Sequence, residues 1–269
     1  MDIEKKVFET IKKYRLLSKK DKIAVALSGG KDSFTVLYLL KKFKYDIFGL
    51  MVDLGVNSWS ETNLKNTEKF CKDLGVELVV VNLKKETGKD MNFLKKVAEK
   101  KQLSMCAVCG VVRKWILNKK AKELGADKIV TGHNLDDECE NILMNFLKGN
   151  ILLGINSGVK SWKFEGKDEG FVQRIKPLFF IPEREIEKFS KRKKFQVLYK
   201  KCPYASETYR IVVRNWMKVL SDREKLRIVE NFQKLIPRLQ KNRPEIKRCR
   251  ICGEPASQEV CQACKILFG

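Results

Sequence analysis

Apolar residues fall into two alternating patterns along the chain. Nearly unbroken apolar runs occupy Ile23–Leu27, Ile47–Asp53, Leu78–Leu83 and Lys128–Thr131. Runs of this length, partly β-branched and closed by glycine or polar residues, predict strands buried on both faces, as in a parallel sheet. Between them, apolar positions recur at helical spacing. Ile3, Val7, Ile11 and Tyr14 share one face over 3–17. Helices are expected over 61–74, weakly over Lys84–Lys101, through Val112, Ile116 and Ala121, and through Ile142, Leu143, Phe146 and Leu147. Residues 149–172 read as a long loop and Val172–Pro177 as a short strand. A basic helix is expected over Pro182–Lys194, with others over 207–220 and 222–236. Strands alternating with helices predict an α/β fold with a doubly wound parallel sheet. The expected division is an N-terminal helix (1–20), an α/β domain (21–200), a helical extension (201–245) and a small cysteine-bearing unit (246–269).

In such sheets ligands sit beyond the carboxyl ends of the strands. Ser28–Ser33, Val52–Gly55 and Gly132–Asp137 all follow predicted strands, so they are expected to converge on one site. The first is the most informative. Ile23–Leu27 runs into Ser28-Gly29-Gly30, and Phe34, Leu37, Tyr38 and Lys41 follow at helical spacing. A strand, a glycine turn and a helix start aim backbone N–H groups at an anion. Ser28 and Ser33 add hydroxyls and Lys31 adds a charge. The G-x-x-x-x-G-K-[ST] phosphate loop does not fit, because position 25 is Val and Asp32 follows Lys31. SGGKDS instead resembles the PP-loop of the N-type ATP pyrophosphatases, which implies cleavage of ATP between the α and β phosphates.

Charge narrows the partner. The formal net charge is +23, from 56 Lys+Arg against 33 Asp+Glu. A charge-rich thermophile surface would enrich both signs. The one-sided excess favours a polyanion, and nucleic acid above all. Met1–Lys20 is charged rather than signal-like, and no apolar run reaches the ~18 residues of a membrane span. A soluble cytoplasmic protein with no membrane partner is expected. The nine cysteines then read as metal ligands before disulfides.

Cys249, Cys252, Cys261 and Cys264 form two C-x-x-C knuckles, the pattern of a tetrahedral zinc ribbon. Cys106 and Cys109 are one pair only, and the nearest plausible further partner is Cys202. Three thiolates could hold a 4Fe–4S cluster and leave one iron without a protein ligand. A redox dithiol at a helix start is the equal alternative on spacing alone. Cys71 and Cys139 fall on predicted helices and read as small buried hydrophobes.

Taken together, the chain resembles the tRNA 2-thiolation enzymes of the TtuA/TtcA group. SGGKDS (28–33), CAVCGVVRK (106–114), TGHNLDDECENILMNFLKG (131–149), CPYA (202–205) and the four-cysteine tail carry the resemblance. TGHNLDDE and the tail point to the 2-thiouridine-forming branch. That branch commonly carries an N-terminal zinc finger, and this chain has no cysteine before Cys71. The resemblance implies that Cys106, Cys109 and Cys202 hold a 4Fe–4S cluster and that Arg113 and Asp137 sit beside ATP. It also implies a sulfur donor (sulfide, a persulfide or a ubiquitin-like thiocarboxylate carrier) and a possible homodimer.

The expected chemistry follows. Ala26, Leu27, Ser28, Gly29, Gly30, Ser33, Val52 and Gly132 would line the ATP site, with Asp32 or Asp137 holding Mg²⁺. The uracil 2-oxygen attacks the α-phosphorus, Lys31 and Arg113 stabilise the developing charge, and sulfur then displaces AMP. His133, the single histidine, is catalytic or packs at the strand end. Helix 184–194, the 207–220 helix with Arg210 and Arg214, and a basic 238–250 hinge would contact tRNA phosphates. The alternatives are a PP-loop ligase, a 2-thiocytidine-forming enzyme, and a cluster-dependent desulfidase that needs no ATP.

Overall fold

The computed structural model describes residues 2–156, 158–161, 171–200, 202–205, 209–239 and 247–269. Five parallel strands form the central sheet in the order β3-β2-β1-β4-β5. They are β1 (Lys22–Leu27), β2 (Asp46–Asp53), β3 (Leu78–Asn82), β4 (Lys128–Val130) and β5 (Gln173–Ile175). β1 pairs with both β2 and β4, so the strand order reverses beside it. That reversal opens a crevice at the carboxyl end of β1.

Strand side chains alternate between faces, and this divides the core in two. Ile23, Val25 and Leu27 enter one buried cluster, while Ala24, Phe48, Leu50 and Val52 enter the other. The first face is covered by α1 (Ile3–Lys13), α2 (Lys31–Lys42), α3 (Asn57–Leu74), α7 (Leu135–Leu147) and α8 (Glu183–Arg192). Two later helices, α9 (Tyr209–Trp216) and α10 (Asp222–Leu239), join it through Val213 and Val229. The second face carries α5 (Met91–Lys100), α6 (Met105–Glu123) and α11 (Gln262–Leu267), with the short α4 (Leu83–Thr87) leading in.

Most predicted elements are present, and the differences are local. α1 ends at Lys13 because Arg15 takes a positive φ of 48° and the chain turns Leu16 into the core. The weak helical stretch over Lys84–Lys101 is two helices. Gly88 (φ +70°) ends the first, and Asp90 caps the second by accepting from the Phe93 N–H at 2.9 Å. α3 begins at Asn57, a full turn before the expected start.

The cysteine tail folds as an antiparallel pair, β6 (Lys247–Arg248) with β7 (Pro255–Ala256), followed by α11. It docks on α5 and α6. Ile266 and Leu267 are buried in the second cluster, Asn118 of α6 donates to Glu254, and Lys101 Nζ donates to the Lys265 carbonyl at 2.9 Å.

Candidate active site

The PP-loop turn starts where β1 runs out. Gly29 sits at φ +74°, and a Cβ there would lie 1.7 Å from Asn63 Oδ1. Glycine is therefore required both for conformation and for space. Asn63 Nδ2 in turn donates to the Ser28 carbonyl at 2.9 Å and fixes the turn. Gly30 is the N-cap of α2 and has no side chain to satisfy the first helical N–H groups, which leaves them for a ligand. Ser33 is buried and braces the loop: its hydroxyl donates to the Gly30 carbonyl at 2.9 Å and accepts from Ser28 N–H at 3.3 Å. Ser28 keeps its hydroxyl at the surface of the cleft.

This turn opens into a cleft of about 310 Å³, the size range of small-ligand sites. Ala26, Leu27, Met51 and Val52 form its strand-end wall. Gly132 packs so closely that a Cβ would lie 2.8 Å from Asp32 C and Ser33 N. Its lack of a side chain therefore lets the β4–α7 turn press on the PP-loop.

Two carboxylates meet at that contact, bridged by one buried residue. Asn134 Nδ2 donates to Asp32 Oδ1 at 3.2 Å, and Asn134 N–H donates to Asp137 Oδ2 at 3.3 Å. The second bond belongs to the capping box of α7. Burial raises the pKa of Asp137 to about 7, Asp32 adds to the rise, and Arg214 opposes it from 3.1 Å. Burial likewise raises Asp32 against the pull of Lys31. Two carboxyls this close favour either a shared proton or a divalent cation.

Lys31 does not line the cleft. Its ammonium turns to Glu183 of α8 (2.7 Å) and Asp32 (3.2 Å), and despite burial these hold its pKa above the ordinary value. It is a paired residue rather than a solvated one. His133 opens onto the cleft with Nδ1 2.8 Å from Thr131 Oγ1. Its side chain is exposed to the cleft, yet the protein packed around it and then Lys176, Lys114, Arg210 and Arg174 push its pKa down to about 3, which favours the neutral imidazole.

α6 carries the cysteine pair beside the same cleft, though neither Cys106 nor Cys109 lines it. Gly110, Arg113, Lys114 and Leu117 line it from one helix face, and Cys106 lies on that stripe one turn earlier. Ser104 caps the helix by accepting from Ala107 N–H at 3.2 Å. Cys106 is exposed and Cys109 buried. Burial raises the Cys109 thiol, Arg113 lowers it, and Cys202 and Cys106 stand close enough to raise it further. The Cys202 segment is held over the cleft rim from two sides: Trp59 Nε1 donates to the Lys200 carbonyl at 2.8 Å and Tyr204 Oη to Asn92 Oδ1 at 3.3 Å.

The tail is a different kind of site. The four sulfurs of Cys249, Cys252, Cys261 and Cys264 lie within 4.8 Å of one another, the one such cluster among the described residues. Cys261 N–H and Cys264 N–H donate to Cys249 Sγ and Cys261 Sγ, each at 3.3 Å. Burial and the neighbouring thiols push Cys264 far up, since four thiols so close cannot all ionise without a cation. This donor set fits one tetrahedral thiophilic ion. Cys106, Cys109 and Cys202 do not form such a tight group, and three thiolates suit a cluster ligated through separate metal atoms.

Several cations expected on tRNA phosphates are already paired. Glu140, fully buried, holds Arg210 at 3.0 Å and Arg214 at 2.7 Å. On α8, Arg184 meets Asp222, Lys188 meets Glu185 and Lys191 meets Glu187. Surface pairs of this kind are weak, so exchange for a phosphate costs little. Lys241, Arg243 and Pro244 of the expected hinge lie outside the described residues. Trp59, Asn63, Lys114, Asn134 and Arg174 were not singled out from sequence. Only the Asn-x-x-Asp capping box of Asn134 offered a signal.

The PP-loop domain model matches residues 1–219. A probable sulfurtransferase of Methanocaldococcus jannaschii is 35% identical over 99% of this chain and 80% of its own length. The tRNA-5-methyluridine(54) 2-sulfurtransferase of Pyrococcus horikoshii is 34% identical over 97% of this chain and 83% of its own. Among solved structures, the U34-tRNA thiolase NcsA of Methanococcus maripaludis, determined with its [4Fe-4S] cluster, superposes with a TM-score of 0.81 at 29% identity. It covers 98% of this chain and 86% of that one.

Proposed function

The chain belongs to the PP-loop domain family, and from that premise we propose that it is an ATP-dependent tRNA sulfurtransferase that installs 2-thiouridine. One observation carries the reading: the PP-loop turn, the Asp32–Asp137 pair and the α6 stripe below Cys106 and Cys109 border a single cleft. Relatives named as tRNA sulfurtransferases, and a thiolase of the same fold with a [4Fe-4S] cluster, support it.

ATP lies with its adenosine along Ala26, Leu27 and Val52 and its phosphates at Ser28, Gly29, Gly30 and the α2 N-terminus. Asp32 and Asp137, oriented by Asn134, would hold Mg²⁺, which would neutralise phosphate charge. The uridine 2-oxygen attacks the α-phosphorus and pyrophosphate leaves. Arg113 stabilises the developing charge. Sulfur then replaces the activated oxygen and AMP departs. Cys106, Cys109 and Cys202 would hold a 4Fe–4S cluster, which would supply a binding place for the incoming sulfide. Neutral His133 accepts or donates a hydrogen bond near the base without adding charge. Lys31, braced by Glu183, orients Asp32. Cys249, Cys252, Cys261 and Cys264 hold Zn²⁺, which contributes folding energy.

The test is anaerobic purification with iron and sulfide analysis, followed by incubation with ATP, sulfide and unmodified tRNA and nucleoside mass spectrometry. 2-Thiouridine that depends on ATP and on all three cysteines is expected. An unchanged product after Cys106→Ser, Cys109→Ser and Cys202→Ser would leave a PP-loop ligase as the better reading.

A further inference from the structure

The cleft has two unlike walls. The side formed by β1, β2 and α3 carries no cation and a single carboxylate, Asp53, whereas α6 and β5 present Arg113, Lys114 and Arg174 around His133. Lys176 and Arg210 extend this cationic field, acting on both Lys114 and His133.

Most of these cations have a carboxylate. Lys176 Nζ is 2.7 Å from buried Glu138 and Arg210 is 3.0 Å from Glu140. Arg174 donates to the Lys114 carbonyl at 2.8 Å and is favoured by the charge of Glu254. Arg113 and Lys114 are the exceptions: no carboxylate pairs with either among the described residues, and the charge of Lys114 meets Arg174, Lys176, Arg210 and Arg113. The Lys114 side chain is exposed at the cleft wall, and the protein packed around it and then these cations lower its pKa. An ammonium set among like charges is costly unless an anion comes to it.

We propose that Lys114, with Arg174 beside it, is the subsite for a backbone phosphodiester of the tRNA nucleotide being modified. This rests on the thiolation reading above. ATP's phosphates already have their anchor at the α2 N-terminus and Ser28, across the cleft from α6. A base whose 2-oxygen meets the α-phosphorus carries its own phosphates within one nucleotide's reach, which points them at the α6 wall. Arg210, half exposed at the rim, continues the cationic track outward. The substrate backbone is the polyanion that the net charge of +23 calls for.

The experiment compares the full chain with Lys114→Met and Lys114→Arg, each checked for an unchanged melting temperature. Affinity for an unmodified tRNA transcript is measured by anisotropy across a salt series, and affinity for ATP by equilibrium dialysis. Lys114→Met should weaken tRNA about tenfold at low salt and flatten the slope of log K against log salt by about 0.7–0.9. Lys114→Arg should restore the slope, and ATP affinity should keep its wild-type value. An unchanged tRNA slope, or a loss confined to ATP, overturns the proposal. Thiouridine formation by the wild-type chain is read separately. If it fails while the slope still depends on Lys114, the subsite stands and the thiolation reading falls; thiolation with a slope indifferent to Lys114 does the reverse.

Discussion

Gly132 and Asp137 show how single residues couple fold to chemistry here. Gly132→Ala puts a methyl against the backbone of Asp32 and Ser33, neither of which can yield like a flexible side chain. It should displace the PP-loop, cost about 1–3 kcal/mol of stability and lower ATP affinity at least tenfold, read by thermal melts and ATP titration. Asp137 carries the opposite tension. Its folded pKa is about 7 against an ordinary value of 3.8. Between these values the native chain holds a proton that the unfolded chain has released, so stability falls as pH rises through that window. Asp137→Asn should therefore melt higher than wild type at pH 8, with the advantage shrinking toward pH 4, while thiolation is lost. A variant that melts lower at pH 8 would show that Asp137 is not strained in the fold. Both residues stood out in the sequence as part of GHNLDDE. The close approach at Gly132 and the Asn134 bridge did not, because each depends on two strand ends lying side by side.

At the scale of elements, α6 organises the site. Its spacing alone puts Cys106, Gly110, Arg113, Lys114 and Leu117 on one stripe. The helix was legible from Val112, Ile116 and Ala121, which face the second core cluster. The start of α3 was not legible, since Asn57–Ser60 lack an apolar periodicity, and Trp59 was missed with it. Trp59 matters because its indole N–H holds the Lys200 carbonyl, next to Cys202. Trp59→Phe should loosen that segment and reduce iron retained per chain after anaerobic desalting by about twofold or more. Retention equal to wild type would assign the Cys202 position to Tyr204 and Asn92 instead. Arg214 shifts in role at this scale as well: helix α9 pairs it with Asp137 and Glu140 while its side chain stays half exposed.

The whole molecule is held as one body by two buried clusters, and the tail is part of the second. Ile266 is 4% and Leu267 1% exposed. If metal removal unfolds the ribbon, both leave the core, at about 3–6 kcal/mol in total. Zinc chelation, or Cys264→Ser, should therefore lower the melting temperature of the entire chain and not of the tail alone. A separate low-temperature transition with the main one unmoved would contradict this. The basic excess belongs to the same scale. tRNA affinity should fall steeply between 50 and 200 mM salt, by about a thousandfold if six phosphates are neutralised. A flat response would remove the electrostatic argument for a polyanionic substrate.

The sequence by itself determined the parallel sheet, the PP-loop turn and the ribbon. Each is written in local pattern: apolar runs, a glycine pair between strand and helix, and cysteines at knuckle spacing. Tertiary structure alone decided which charges are spent inside and which remain for a substrate. Lys31, Arg210 and Arg214 looked available from their neighbours in the chain, yet each finds a carboxylate contributed by a distant element. Lys114 looked like one more lysine beside Arg113, and the fold sets it on the cleft wall among other cations with no carboxylate paired to it among the described residues. Charge pairing acts through space, and sequence spacing records it only within a turn of helix.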